Sequence, residues 1–212
     1  MLATRFERPP GDVGNAASFT VPVLKETLRD ATPARVVRGD ASALLPDFVA
    51  AGRRLVARGA TLVSTSCGFL APFQTALAEA LPVPVYASAL LHCARCTRPA
   101  ILTIEAAALV PARLAACGVA PDTPVAGMDG TGFAAAIMGD APLDLGTARA
   151  EHVERALALV AAHPETSDIV LECTNMGPYA HAIGRATGRP VHSIVPLLEA
   201  ELAPSHPASQ RD

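Results

Sequence analysis

Apolar and polar positions along the chain alternate between two rhythms. Short runs such as ATLVST (60–65), PVPVYAS (82–88), AILTI (100–104), PVAGM (124–128), DIVLEC (168–173) and PVHSIV (190–195) are continuous, β-branched and too short for helices. They predict buried strands. Between them, apolar residues recur at helical spacing. Leu44, Leu45, Phe48, Val49, Leu55 and Val56 predict a helix over 43–58 that Gly59 stops. Further helices are predicted over 69–81, 106–117, 147–163 and 177–187, with a short one around His92 and another closing the chain before a polar tail. Residues 22–30 read as the start of a helix and 34–37 as a short strand.

Strands alternating with helices in this way predict an α/β chain with parallel sheets flanked by helices. Such sheets bind ligands at the carboxyl ends of their strands. Two segments end there on cysteine: TSCGF, with Cys67, and ECTNMG, with Cys173. Each is followed by a helix and then a Pro-Val strand, so the order strand, cysteine, helix, strand occurs twice, half the chain apart. This echo predicts two pseudo-symmetric lobes with the active site in the cleft between them. The first lobe is expected from 1–93 plus 196–212 and the second from 94–195.

Composition removes several classes of function. Of 212 residues half are apolar and 17% charged, and the net charge of −3 comes with no basic run, which argues against nucleic acid as a partner. No apolar stretch approaches the ~20 residues that span a bilayer, and MLATRFERPPGD lacks the apolar core of a signal peptide. A cytoplasmic protein with no membrane partner is the expectation. Five cysteines, mostly within apolar segments, suit a reducing compartment better than a disulfide framework. Lys25 is the sole lysine and sits in a polar, helix-like stretch, which argues against a Schiff-base cofactor.

The chemistry is expected in the two cysteine loops. A cysteine just ahead of a helix meets unpaired N–H groups and the positive end of the helix dipole, which favour the thiolate. Thr65 and Ser66 on one side and Thr174 and Asn175 on the other add uncharged donors able to grip a small carboxylate. Free cysteine is more often a buried apolar filler. Filler, however, has no reason to recur at the ligand end of both halves.

These motifs carry a resemblance. TSCGF (65–69), LECTNMGPY (171–179) and the opening PPGDVGN (9–15) together resemble the aspartate/glutamate racemase superfamily, in particular a bacterial branch with TSCGF and LECTNM loops. The resemblance covers nearly the whole chain. It implies a cofactor-independent racemase or epimerase of a small amino acid or related carboxylate, with Cys67 and Cys173 as acid and base on opposite faces. It also implies substrate contacts from Asp12, Asn15, Ser66, Gly68, Thr174 and Asn175. The same superfamily includes lyases, decarboxylases and cis-trans isomerases, which would use one cysteine as base and the other as assistant. A non-catalytic carboxylate-binding protein is the remaining alternative.

Departures from the racemases bear on the substrate. Gly68-Phe69 stands where they carry Asn-Thr, and Asn175 where the glutamate enzymes carry His, so acidic amino acids fit poorly. The relatives have a full apolar strand ahead of TRF, where this chain has MLA, so an abbreviated or trimmed first strand is expected.

Other groups weigh less. His92, Cys93 and Cys96 have the spacing of half a zinc site without a second knuckle in sequence, so no metal is expected. GMDGTG (127–132) has the wrong order for a dinucleotide loop and reads as a turn and helix start. Glu172 should point away from Cys173 and make a structural hydrogen bond. His181 and His192 read as surface or satisfied histidines, and Tyr179 as a group that could close the cleft. A homodimer is an ordinary expectation for an enzyme of this size.

Overall fold

The computed structural model describes residues 1–203 and is an α/β fold with parallel sheets flanked by helices. Among the described residues, helices α1 (Pro33–Val37), α2 (Leu45–Ala57), α3 (Gln74–Ala80), α4 (Pro111–Ala115), α5 (Gly132–Gly139), α6 (Leu145–Ala162), α7 (Ala180–Thr187) and α8 (Ile194–Leu202) alternate with six short strands. These are β1 (Val63–Ser64), β2 (Val85–Tyr86), β3 (Pro99–Thr103), β4 (Val125–Gly127), β5 (Asp168–Leu171) and β6 (Val191–His192).

One sheet pairs β1 with β2; the other has the order β4-β3-β5-β6, and every pairing is parallel. A parallel sheet covered on both faces needs strands that are apolar on both faces. Ile101, Leu102, Ile169, Val170 and Leu171 meet that need and are fully buried. No helix among the described residues is long and apolar enough to cross a membrane.

Three local readings change. Residues 33–37 are helical: Thr32 caps the N-terminus by accepting from the Arg35 N–H, and Pro33 supplies a preset first-turn φ. Residues 22–30 form no helix: 22–27 have no regular structure, Leu28 forms a parallel bridge with Leu2, and 29–30 turn. The helix expected over 106–117 is divided, because Pro111 starts a new helix after a 3₁₀ turn at Ala106–Ala108.

The first sheet is also thinner than the second. In the second, β3 lies between β4 and β5; in the first, among the described residues, the corresponding place is held by Met1–Ala3. The amide of Leu28 donates to the Met1 carbonyl at 3.0 Å and that of Ala3 to the Ala31 carbonyl at 2.9 Å. An apolar trough of about 590 Å³ beside Met1 is lined by residues 21–26 and 58–66, among them Val23, Leu24, Leu62 and Val63.

Candidate active site

The sequence TSC directly follows β1, and ECT directly follows β5, so both cysteines lie at the carboxyl edges of their sheets. They face one cavity, lined also by Thr4, Phe6, Arg8, Ser66, Phe69 and Asn175. The cavity measures about 20 Å³, enough for about one water molecule. This is a closed site. Segment 4–8 lines one side of it and is clasped by Asp140 at the end of α5: Oδ1 accepts from the Arg5 N–H at 2.5 Å and the Phe6 N–H at 3.2 Å, and Oδ2 accepts from Arg5 Nε at 3.1 Å.

The two loops are tied to each other. The Thr174 hydroxyl donates to the Ser66 carbonyl at 2.8 Å, and the Ser66 hydroxyl accepts from the Leu2 N–H at 2.9 Å. Thr174 and Ser66 therefore hold the loops in register, with Ser66 also lining the cavity. Gly68 is dictated by Glu172: a Cβ there would fall inside the contact radius of the Glu172 carbonyl and carboxyl oxygens. Gly177 is similarly pressed against the Gly11 carbonyl, so the PPGD turn and the second cysteine loop pack back to back.

Asp12 and Asn15, both expected at the substrate, have different tasks. Asp12 is buried; its Oδ1 accepts from Arg8 Nη1 at 2.9 Å and its Oδ2 from Asn175 Nδ2 at 2.6 Å. Asn175 Oδ1 in turn accepts from the Cys173 thiol at 3.5 Å. A hydrogen-bonded row thus runs Arg8, Asp12, Asn175, Cys173. The Asn15 side chain is used locally: its amide donates to the Arg8 carbonyl at 2.6 Å and its oxygen accepts from the Ala17 N–H at 2.8 Å. Asn15 shapes the loop and does not line the cavity.

The expectation of acidic thiols is overturned. Burial, joined by the Glu172 carboxylate, pushes Cys67 up to about 12. The Phe69 N–H, at the start of the 3₁₀ turn Gly68–Phe73, and the Arg113 and Arg8 guanidiniums pull the other way but do not win. Burial also raises Cys173 well above its ordinary value, joined by Glu172 and Asp12, with the Asn175 N–H pulling the other way. Its loop leads into a turn, and α7 begins only at Ala180, so no helix dipole reaches it. Glu172 bears on both sulfurs; beyond it, the Arg113 and Arg8 cations act on Cys67 and Asp12 on Cys173.

One contributor escapes a sequence reading. Arg8, in the segment ahead of PPGD, brings a nearly buried guanidinium to the cavity; it also donates to the Thr4 hydroxyl at 2.9 Å. Glu172 accepts from the Thr103 hydroxyl at 2.7 Å, the structural hydrogen bond expected of it. It is nonetheless buried with its other oxygen unpartnered, and burial raises its carboxyl to about 7. Tyr179 is buried against His152 and Phe133, with ring centroids at 4.3 and 5.9 Å, and its hydroxyl has no protein partner. His181 is exposed.

No family model matches the chain. Among solved structures, it is similar over 97% of its length, and 96% of the other's, to a glycine-to-cysteine mutant of arylmalonate decarboxylase in a sulfate-associated form, with TM-score 0.62 and 23% identity. Allantoin racemase from Klebsiella pneumoniae matches with TM-score 0.53 and 23% identity, covering 77% of this chain and 66% of that one. Glutamate racemase from Thermus thermophilus matches with TM-score 0.51 and 19% identity, covering 80% and 62%. These likenesses define the fold class: a two-lobed α/β protein with parallel sheets flanked by helices.

Sequence relatives narrow it. The chain is 31% identical over 202 residues to dimethylsulfoniopropionate lyase of Durusdinium sp. clade D, covering 88% of this chain and 67% of that one. It is 28% identical over 223 residues to dimethylsulfoniopropionate lyase 7 of Emiliania huxleyi, covering 93% and 64%. The chain belongs to the family of these lyases. It spans about two thirds of the length of these two curated relatives.

Proposed function

We propose that this chain is a cofactor-independent lyase that removes the α-proton of a small carboxylate and expels a leaving group from the β-carbon. The observation that carries this reading is the unequal charge around the two sulfurs. Burial and Glu172 raise both thiols, but Arg113 and Arg8 favour ionisation at Cys67 alone, while Cys173 is opposed also by Asp12 and donates its S–H to Asn175 Oδ1 at 3.5 Å. A racemase must run the same chemistry from both faces. A site in which one thiol has cations beside it and the other is held as a hydrogen-bond donor is suited to one direction.

In this reading the Cys67 thiolate takes the α-proton. The C–H electron pair becomes the Cα=Cβ bond, and the leaving group departs with the electrons of its bond to Cβ. The Cys173 S–H, kept protonated in the free site by its bond to Asn175 Oδ1, turns from that oxygen to donate to charge developing on the carboxylate. Arg8 uses one guanidinium nitrogen on Asp12 and one on Thr4, which leaves donors for the substrate carboxylate. Cys67 then releases its proton to solvent.

Dimethylsulfoniopropionate, the compound in the relatives' name, is the candidate substrate, and elimination from it gives dimethyl sulfide and acrylate. A thiol at about 12 is almost wholly protonated at neutral pH, so the free enzyme is poorly prepared to act as a base. A sulfonium cation bound beside it supplies the missing positive charge and lowers that barrier. In this reading the 4–8 segment lifts to let substrate into the closed cavity.

Racemisation is kept as a second reading, because matching loops in both halves bring one cysteine each to the same cavity. One experiment separates them. Dimethyl sulfide release from dimethylsulfoniopropionate is measured by headspace gas chromatography, and α-deuteration of a panel of amino and hydroxy acid enantiomers is followed by NMR in heavy water. Release of dimethyl sulfide dependent on Cys67 supports the lyase. Deuteration of both enantiomers with no release would replace it with the racemase.

A further inference from the structure

The half zinc site in the sequence acquires its other half from a different strand. His92 and Cys96 belong to the 3₁₀ segment Ala89–Arg95 and its cap, which follows β2. His192 ends β6 in the other sheet. One ligand atom from each of His92, Cys96 and His192 lies within 4.8 Å of the other two. The two imidazoles are stacked, with centroids 4.0 Å apart and planes 22° from parallel.

We propose that His92, Cys96 and His192 bind a divalent transition-metal ion of the zinc class, which clips the segment leaving the first sheet onto the last strand of the second. Three observations carry this. First, the donors are two imidazole nitrogens and one sulfur, the set that soft and borderline ions select over magnesium or calcium. Second, His92 Nδ1 is buried and has no hydrogen-bond partner, an arrangement that a coordinate bond would satisfy. Third, Asp168 Oδ1 lies 2.8 Å from His192 Nε2, which leaves Nδ1 as the nitrogen free to ligate. A carboxylate holding the far nitrogen of a ligand histidine is the usual orienting partner in such sites.

Bonds of about 2.0–2.3 Å to a tetrahedral ion put its ligand atoms roughly 3.5 Å apart. Small side-chain rotations therefore have to draw the three atoms together. The residues are half-buried, which permits that movement and leaves the fourth position to water. On binding, the Cys96 S–H loses its proton to buffer and the sulfur becomes an anionic ligand. The Cys96 thiol now donates to the His92 carbonyl at 3.5 Å, a weak contact that binding would replace. None of these residues lines the cavity between Cys67 and Cys173.

The test is titration of the chelator-treated protein with Zn²⁺ against a chromophoric chelator, alongside Co²⁺ absorption. The background is Cys67→Ser/Cys173→Ser, so that the paired active-site thiols cannot contribute. Binding of one equivalent with a dissociation constant at or below about 1 µM, and a thiolate-to-cobalt charge-transfer band, is expected. Cys96→Ser should remove the band and weaken binding at least about 100-fold, and Asp168→Asn should weaken it about 10-fold. Cys93→Ser should change neither. Absence of binding, or binding and band that survive Cys96→Ser and His192→Ala together, would overturn the proposal. Circular dichroism on each variant establishes that lost binding is not lost folding.

Discussion

The side-chain amide of Asn175 donates to Oδ2 of Asp12 at 2.6 Å across 163 residues of sequence, joining the PPGD turn to the loop of Cys173. This bond fixes the amide's orientation: with its nitrogen on Asp12, its oxygen must face the Cys173 thiol. The sulfur is thereby kept as a donor. Asn175→Asp preserves the shape but sets carboxylate against carboxylate, so the pair must hold a proton to stay in contact. The variant should keep measurable turnover at acidic pH and lose it as pH rises through neutrality. A pH–rate profile of the variant that parallels wild type would dismiss the orienting role.

The clasp on segment 4–8 gives a second expectation. Asp140 adopts a left-handed backbone conformation, φ 51°, which glycine takes without strain. Asp140→Gly therefore deletes the carboxylate that holds Arg5 and Phe6 while keeping the turn. Alkylation of Cys67 by iodoacetamide should accelerate at least about 10-fold, an opening free energy lowered by about 1.4 kcal/mol. An unchanged rate, read by peptide mass spectrometry, would mean that access does not run under this segment.

Glu172 makes stability depend on pH. Its carboxyl is raised by burial from 4.5 to about 7, so the folded state prefers it protonated. The stabilisation is complete below about pH 4.5 and is lost as pH rises towards 7, by an amount on the order of 3 kcal/mol. His152 works in the opposite sense: burial lowers it from 6.5 to about 4, so its contribution is lost as pH falls through that range. Glu172→Gln removes the first effect and keeps the second. Denaturant titrations should show the wild type losing stability relative to this variant between pH 4.5 and 7. A constant difference would refute the assignment.

Strands β3 and β5 were legible because a strand buried on both faces must be apolar throughout, and Ile101–Leu102 and Ile169–Leu171 meet that condition. The cysteine loops were legible for a related reason, since a strand end followed by a helix is where such sheets expose chemistry. Helix α1 was missed because Val36 and Val37 suggest a strand locally, while the Thr32 cap and Pro33 decide the matter. The non-helical stretch before Ala31 was missed because its partner is Met1–Ala3, a long-range pairing that no local period reveals. Thiol acidity was misjudged: proximity to a helix start can be read from sequence, whereas closure of the cavity over both sulfurs cannot. Arg8 and His192 had the same difficulty, because their partners come from distant segments.

Gly68 marks how tightly the loops approach. Adding a methyl group there drives it into the Glu172 backbone and carboxyl, neither of which has room to move. Gly68→Ala should cost about 3 kcal/mol or more, within the range of overpacked cores, and should abolish turnover in whatever protein remains folded. Thermal unfolding and residual activity together check this. A fully active, equally stable variant would contradict the observed approach of the two loops.

The division of labour between the sulfurs is tested most directly by hydrogen exchange into unreacted substrate. Dimethylsulfoniopropionate is incubated in deuterium oxide with Cys67→Ser and with Cys173→Ser, and deuterium at the carbon next to the carboxylate is read by NMR. Exchange should persist with Cys173→Ser, where the base remains, and vanish with Cys67→Ser. Exchange that survives without Cys67 and fails without Cys173 would assign the base to the wrong sulfur and contradict the account.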